Sequence, residues 1–212
     1  MLGKQDEALL RAKFAPFGLS QTDMNALVSG ADVLRYEAGR VLYKDARSCY
    51  GFFIVKSGVL RAFVLSPNAK EITIFKLKSG EECIICSACA SDSLQLEINL
   101  EVQEDLEIIV ISPAIFSALR QKYQSLTNYA LALISRRFAQ SINVMQQALF
   151  LPLTERIRDF LVQNAVEGEL KLTHETIANE LGSAREAVSR ILKEMEKLGE
   201  IELSRGKIKL MA

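Results

Sequence analysis

Residues 172–199 constrain the fold of this chain more than any other stretch. Thr173 is a preferred helix N-cap, and apolar residues follow it at helical spacing until Gly182, which can adopt the left-handed conformation that closes a helix. Ser183 comes next, and with Glu186 three residues later it matches a capping box that starts another helix. The sequence therefore predicts two short helices joined by a tight turn.

The second of these helices has two chemically different faces. Its buried stripe is predicted from apolar residues at helical spacing, which are Val188, Ile191, Leu192, Met195 and Leu198. The opposite face carries polar and charged residues, most of them in the first turns, which are Arg185, Glu186, Ser189, Arg190 and Lys193. An arginine fork fits the two acceptors of guanine, and a glutamate can accept a hydrogen bond from cytosine. This layout is typical of a helix that reads DNA in the major groove, although a charged helix face can also be only a solvated surface.

The residues of both helices resemble the signature of the CRP/FNR family of bacterial transcription regulators. The resemblance rests on residues 177–182 (IANELG) and 184–190 (AREAVSR), with Leu192 and residues 198–199 after them. It implies that Arg185, Glu186 and Arg190 contact bases and that Ser189 lies beside them. It also implies a homodimer that binds double-stranded DNA at a palindromic operator, with RNA polymerase as a further partner if the protein is an activator.

A β-hairpin is predicted immediately after these helices. Residues 201–210 form two runs of alternating apolar and polar residues around Arg205 and Gly206. This hairpin resembles the wing of the same family. Arg205 and Lys207 would then be placed to contact DNA phosphates.

The charge of the whole chain is balanced, because 26 basic residues oppose 26 acidic ones in 212 residues. DNA affinity would therefore have to come from a small focused patch that dimerisation doubles, since there is no overall basic charge. With 49% hydrophobic residues, the chain can bury the cores of two modest domains. We find no signal peptide and no stretch of membrane-spanning length, and we expect a cytoplasmic protein with no membrane partner.

The first half of the chain changes its periodicity once. Residues 4–30 show a short helical pattern, in which Phe14, Phe17, Leu19 and Leu27 are the expected packing residues. Seven short β-rich runs then follow as far as Ile111, with turn residues such as Gly39, Gly58 and Gly80 between them. Many short strands at this spacing indicate an antiparallel barrel or sandwich.

Residues 37–39, 54–58 and 80–81 resemble the double-stranded β-helix sensor of the CRP/FNR family, so the resemblance covers nearly the entire chain. The predicted class is α+β, with a cyclic-nucleotide-binding-like sensor, a long dimerisation helix and a winged helix-turn-helix. The corresponding segments are residues 1–112, 113–150 and 151–212.

The long helix is expected beyond Pro113, where a helical period returns. Its apolar residues are spaced by three or four and include Leu131, Ile134, Phe138, Ile142 and Met145. Such a seam fits a two-stranded coiled coil, although a single amphipathic helix that covers the barrel would show the same pattern. Because family members dimerise through the corresponding helix, the resemblance favours this seam as a homodimer interface. Pro152 is expected to mark the hinge before the DNA-binding domain.

The family's cyclic-nucleotide binders follow a Gly-Glu pair with an arginine that grips the phosphate. Here the pair ends at Glu81, a candidate effector contact, but residues 79–119 contain no lysine or arginine. A phosphate there would lack charge-assisted hydrogen bonds unless Arg136 or Arg137 reached in from the long helix, which argues against a cyclic nucleotide. Haem is also disfavoured, because the only histidine, His174, lies in the predicted DNA-binding domain.

Three cysteines follow at successive C-x-x-C spacings, Cys83, Cys86 and Cys89, and Cys49 is available as a fourth thiolate. Such a set could hold an iron–sulfur cluster or zinc. The cluster-binding members of the family carry their ligands near the N-terminus, however, and residues 1–48 contain no cysteine. A reversible thiol switch needs an exposed thiol of lowered pKa, which the acidic neighbours oppose. The third interpretation is that these cysteines are small packing residues.

Two other classes of protein stay open at this stage. A thiol-disulfide enzyme could use Cys83 and Cys86, but the sequence lacks the βαβ context of thioredoxin-like proteins. A ligand-binding or scaffold protein could keep the barrel without any role on DNA. We predict a regulator without catalytic residues rather than an enzyme.

Overall fold

A computed structural model describes residues 2–42, 51–84 and 98–211 of the chain. The chain forms two compact units: Met1–Ala62 with Phe75–Gln140, and Phe63–Ile74 with Ser141–Ala212. Helices and antiparallel strands occur in separate stretches of the sequence, so the predicted α+β class is confirmed.

The helices of the first unit lie before and after its strands. They are α1 (Lys4–Phe14), α2 (Gln21–Ser29), α3 (Pro113–Lys122) and the long α4 (Gln124–Phe150), which continues into the second unit, with a short 3-10 turn at Ala15–Phe17. The N-terminal helical prediction is confirmed. Ser20 caps α2, since its hydroxyl accepts a hydrogen bond from the backbone N–H of Asp23 at 3.1 Å.

Six strands form one sheet in the order β1-β6-β3-β4, with β2 also on β6 and β5 also on β3. Their bounds are β1 Ala31–Tyr36, β2 Val41–Leu42, β3 Phe52–Leu65, β4 Glu71–Leu77, β5 Glu82–Ile84 and β6 Asn99–Ile111. Strand β1 pairs antiparallel with the second half of β6, and β2 pairs with the first half of the same strand. Strand β5 pairs antiparallel with the beginning of β3.

The predicted turn at Gly58 is wrong, because β3 continues through this residue as one strand of 14 residues. Gly58 has φ +85°, and a Cβ there would lie 2.3 Å from the carbonyl oxygen of Asp105. Only glycine permits this close approach to β6, so the residue marks a bend in a strand rather than its end. Strand β6 likewise joins two predicted runs across Glu104 and Asp105.

Aromatic side chains hold the helices of the first unit to its sheet. The rings of Phe52 and Phe116 stack with centroids 4.9 Å apart, and Phe14 meets Phe52 edge-on at 5.4 Å. Phe14 and Leu27 are buried as predicted, and the other two expected packing residues lie partly buried against the same core. The first half of α4 completes this core with Leu126, Ala130 and Leu133.

Besides residues 63–74 and the end of α4, the second unit contains three further helices and a small sheet. The helices are α5 (Leu153–Asn164), α6 (His174–Leu181) and α7 (Arg185–Lys197). The sheet has the order β7-β9-β8, built from β7 (Glu169–Leu170), β8 (Ile201–Ser204) and β9 (Lys207–Leu210). The predicted hairpin is confirmed, whereas β7 is too short to show an alternating pattern in the sequence. No helix among the described residues has the length and apolar character needed to span a bilayer.

Candidate nucleic-acid interface

Helix α6 begins and ends where the sequence predicts. The hydroxyl of Thr173 accepts a hydrogen bond from the backbone N–H of Thr176 at 3.0 Å. Gly182 follows the last residue with φ +67°, in the left-handed region. Both ends of the helix therefore have the capping groups that fix its length.

The turn between α6 and α7 differs from the prediction in one respect. Ala184, not Ser183, is the N-cap of α7, and no side chain caps this helix. The backbone N–H of Ser183 instead donates to the carbonyl oxygen of Ala178 at 2.9 Å, which closes α6 in the manner of a Schellman motif. The predicted capping box is wrong because Ser183 still belongs to the end of the preceding helix.

Helix α7 packs its apolar stripe into the core of the second unit. Val188, Ile191, Leu192 and Met195 are buried there as predicted. Leu198 is 69% exposed, which corrects the prediction that it is part of this stripe. The helix ends at Lys197, and Leu198 is its C-cap residue.

The opposite face of α7 is open to solvent. Its residues line one continuous surface, formed by Arg185, Glu186, Ser189, Arg190, Lys193, Glu194 and Lys197. Arg185 lies 4.0 Å from Glu175, but both side chains are largely exposed, so this ion pair is weak. Within the described part of the chain, Arg190 and Lys193 form no ion pair. The structure thus brings Arg185, Glu186 and Arg190, which are predicted to contact bases, onto one accessible face together with Ser189.

Ser189 has a partner that the sequence analysis did not identify. Its hydroxyl oxygen lies 2.8 Å from the Nδ1 atom of His174, the first residue of α6. The two residues are 15 positions apart and meet only because α6 and α7 cross. No local sequence signal could have indicated this hydrogen bond.

The two hairpin residues that are predicted to contact phosphates have different surroundings. Arg205 is exposed in the turn between β8 and β9, next to Gly206. Lys207 lines an open groove together with His174 and Arg185. Its ammonium group is 2.6 Å from the carboxylate of Glu169, and this hydrogen bond lowers the pKa of that carboxyl group.

A second cluster of charges lies in the first unit, around strand β5. The Arg137 side chain of α4 is buried, its guanidinium donates to the backbone oxygen of Glu82 at 3.1 Å, and it lies 3.7 Å from the Glu81 carboxylate. It also covers the ring of Phe75 at 4.8 Å from the centroid. Arg136 is exposed. Of the two arginines considered in the sequence, Arg137 is therefore the one beside Glu81.

The carboxylate of Glu82 joins two helices to β5. It forms an ion pair with Lys13 of α1 at 2.5 Å and accepts a hydrogen bond from the hydroxyl of Tyr129 in α4. Burial, followed by this bond to Glu82, raises the pKa of Tyr129 above its usual range. The Glu82 cluster, defined as Lys13, Glu81, Glu82, Tyr129 and Arg137, is thus closed by side chains of the protein itself.

Cys83 follows this cluster on β5, opposite Phe53, and is 1% exposed. Burial raises the pKa of its thiol to about 11, although the adjacent Arg137 opposes the shift. Cys49, Cys86 and Cys89 lie outside the described residues. Within the described residues, no group of three or more histidine, cysteine or acidic side chains could hold a metal ion.

The predicted seam of α4 remains largely uncovered by its own chain. Leu131, Phe138 and Met145 recur every seven residues and are 57%, 67% and 50% exposed, respectively. Ile134 and Ile142 between them are half-buried. A row of large apolar side chains left open to water is the usual sign of a surface that meets another protein.

Two comparisons decide the family of this chain. Residues 155–211 match the Crp-like helix-turn-helix domain. The crystal structure of a CRP/FNR-family transcriptional regulator from Eubacterium rectale ATCC 33656 superposes with a TM-score of 0.84, at 30% sequence identity and over 92% of each chain. The chain belongs to the CRP/FNR family. It is a transcription regulator of this type, with a helix-turn-helix that binds DNA.

Other CRP/FNR-like structures share the fold at lower identity. The c-di-GMP-responsive regulator CLP of Xanthomonas campestris is 20% identical and has a TM-score of 0.74, with 91% of this chain and 100% of that chain covered. FixK2 of Bradyrhizobium japonicum is 17% identical and has a TM-score of 0.67, with 86% and 93% covered. No curated protein sequence matches this chain.

Proposed function

We propose that this CRP/FNR-family regulator binds a specific DNA sequence through the outer face of α7. Arg185, Glu186 and Arg190 would contact base edges with Ser189 beside them at the DNA, while Arg205 and Lys207 would contact phosphates. The supporting observation is the single solvent-open surface that carries all four α7 residues on a helix whose other face is buried. An exposed arginine keeps its fork of donors available for guanine.

A selection experiment tests this assignment. The full-length protein is incubated with randomised duplexes, and the enriched sequences and their affinities are compared among variants. For each half-site, Arg190→Ala should lose about 1–3 kcal/mol and relax one base position, whereas Lys207→Ala should weaken all duplexes equally and reduce the salt dependence by about one unit of slope. Arg136→Ala, which changes an exposed arginine of α4, is the matched control. If Arg190→Ala kept the full sequence preference, the assignment would be wrong.

We further propose that the exposed seam of α4 pairs with the same seam of a second copy. The seven-residue recurrence of Leu131, Phe138 and Met145 fits a two-stranded coiled coil. Two copies of α7 could then engage a palindromic operator, and the doubled patch would compensate for a chain without net charge. Binding to DNA agrees with the cytoplasmic location that the sequence predicts.

Sedimentation of two single-charge variants tests the seam. Phe138→Glu should shift the protein to monomer, because it places a charge in the apolar row. Ala139→Glu adds the same charge at the next position of α4, which is exposed and lies outside the seam, and should leave the dimer intact. An unchanged dimer in Phe138→Glu would require another interface.

We propose that the signal sensed by this protein is not a cyclic nucleotide. Arg137 is the arginine that could meet a phosphate near Glu81. Its guanidinium, however, already contacts the backbone oxygen of Glu82 and the carboxylate of Glu81. The same carboxylate would repel an anion. Titration calorimetry with cyclic AMP and cyclic GMP should show no binding, and micromolar affinity for either nucleotide would contradict the proposal.

The cysteine alternatives concern mainly residues outside the described part of the chain. A metal or cluster needs thiolates, and the buried Cys83 holds its proton firmly. We propose that Cys83 is a packing residue. Iron, zinc and acid-labile sulfide measured on protein purified without oxygen test this, since stoichiometric metal that Cys83→Ala abolishes would make Cys83 a ligand.

A further inference from the structure

The hydrogen bond between His174 and Ser189 joins the two helices of the helix-turn-helix at its solvent side. His174 begins α6, and Ser189 lies on the outer face of α7 between Arg185 and Arg190. Both residues are partly exposed, and the distance from Nδ1 to the hydroxyl oxygen is 2.8 Å. The proton on this bond therefore influences what Ser189 can offer to a bound molecule.

A serine hydroxyl has one proton to donate. When Nδ1 of His174 carries no proton, the Ser189 hydroxyl donates to it, and its oxygen can then only accept from other groups. When Nδ1 carries a proton, as it does in one of the two neutral tautomers and always in the doubly protonated ring, Nδ1–H donates to Ser189, and the hydroxyl proton is released for another acceptor. Phosphate oxygens and the N7 atoms of purines are acceptors, so the second arrangement suits DNA.

We infer that His174 is a positioning residue that sets the direction of the Ser189 hydroxyl and makes DNA binding tighter when the imidazole is protonated. This inference rests on the proposed placement of Ser189 at the DNA. Histidine is the side chain that commonly exchanges a proton between about pH 5 and 8, and a cationic ring near phosphate acts in the same direction. DNA affinity should therefore rise as the pH falls through this range.

Other charged groups face the same groove and must be separated from His174 in any test. Glu175 belongs to α6, Arg185 to α7 and Lys207 to β9, and all three line the groove with His174. The His174→Gln variant leaves all three of these side chains in place, so any part of the pH dependence that it removes comes from the histidine.

The experiment uses the full-length protein and a duplex that it has itself enriched from a randomised pool. Affinity is measured by fluorescence anisotropy at constant ionic strength from about pH 5.5 to 8.5, the range in which histidine commonly acts as a switch in proteins. The natural protein should bind about tenfold more tightly at the acidic end, since each of two protomers would take up part of a proton. His174→Gln can still form a hydrogen bond but does not titrate, and its affinity should not change with pH.

Ser189→Ala distinguishes positioning from simple attraction. If His174 acts through Ser189, this variant should lose at least half of the pH dependence on a logarithmic scale. If the variant kept the whole dependence, the histidine would act only as a nearby cation, and the positioning role would be wrong. Ser183→Ala, a serine in the adjacent turn, should behave as the natural protein does.

The outcomes separate this inference from the proposed function. If no sequence is enriched at any pH, the assignment of α7 as a sequence reader fails, and the inference fails with it. If the natural protein binds its enriched duplex selectively but with an affinity that does not change between about pH 6 and 8, only the role of His174 is overturned. A thermal unfolding curve for each variant shows that it is folded.

Discussion

The outer face of α7 and the Glu82 cluster use the same residue type in opposite ways. Arg185 and Arg190 are exposed on α7, so their donors remain available to a partner. Arg137 is 8% exposed, and its donors already contact atoms of β5. The comparison shows that a chain of zero net charge can carry one open charged surface and one closed cluster. Where an arginine lies decides whether it contributes to binding or to stability.

The largest expected effect concerns the closed region. Because burial raises the pKa of Cys83 to about 11, its thiolate is about 100-fold scarcer at neutral pH than that of an ordinary thiol. Iodoacetamide should therefore modify Cys83 in the native protein at least about 100-fold more slowly than in urea-unfolded protein. Mass spectrometry of the Cys83 peptide measures both rates, and comparable rates would show that the region around β5 is open.

The next effect compares arginines from the two regions. Arg137→Ala should lower the free energy of unfolding by about 2 kcal/mol, because it removes a buried hydrogen bond to Glu82 and leaves polar groups unsatisfied. Replacing the exposed Arg136 or Arg190 by alanine should change the free energy of unfolding by less than about 0.5 kcal/mol in each case. Urea unfolding followed by circular dichroism gives these values. Equal losses in all three variants would remove the distinction between open and closed regions.

The smallest expected effect is a change in DNA affinity, and it concerns an exposed ion pair. The ion pair of Lys207 with Glu169 competes with phosphate for the ammonium group. Glu169→Gln should therefore strengthen binding to any duplex by about twofold, in line with the modest strength of exposed ion pairs. Because the pKa of Glu169 is lowered, the pair persists well into the acidic range, and the gain should be the same at about pH 6 and pH 8. Weaker binding would mean that Glu169 positions Lys207 for its contact.

Sequence signals predicted the helix-turn-helix well wherever one residue and its near neighbours determine the structure. Thr173 and Gly182 act on amides and carbonyls within four positions, so their roles could be identified directly. The predictions failed where a residue served a neighbouring element. Ser183 completes α6 instead of starting α7, and Gly58 allows β6 to approach instead of turning the chain.

Contacts between distant residues could not be predicted in this way. The partner of Ser189 depends on the crossing of α6 and α7, and the burial of Arg137 depends on how α4 meets β5. A periodic pattern indicates which face of a helix is apolar but not which side chain from another element covers a polar residue. The candidate DNA contacts on α7 were found because they share one helix face, whereas His174 lies on another element.

Strand β3 has a consequence for how this protein can be divided. The chain passes from one compact unit to the other after residues 62, 74 and 140, and the first of these crossings lies within β3. Neither unit is therefore a single continuous piece of polypeptide. A fragment that starts at Ser141 would keep α7 but lack residues 63–74 of its own unit. During synthesis, the first unit has all of its residues only once Gln140 has been added, and the second unit must wait for residues beyond that point although its first segment was made earlier.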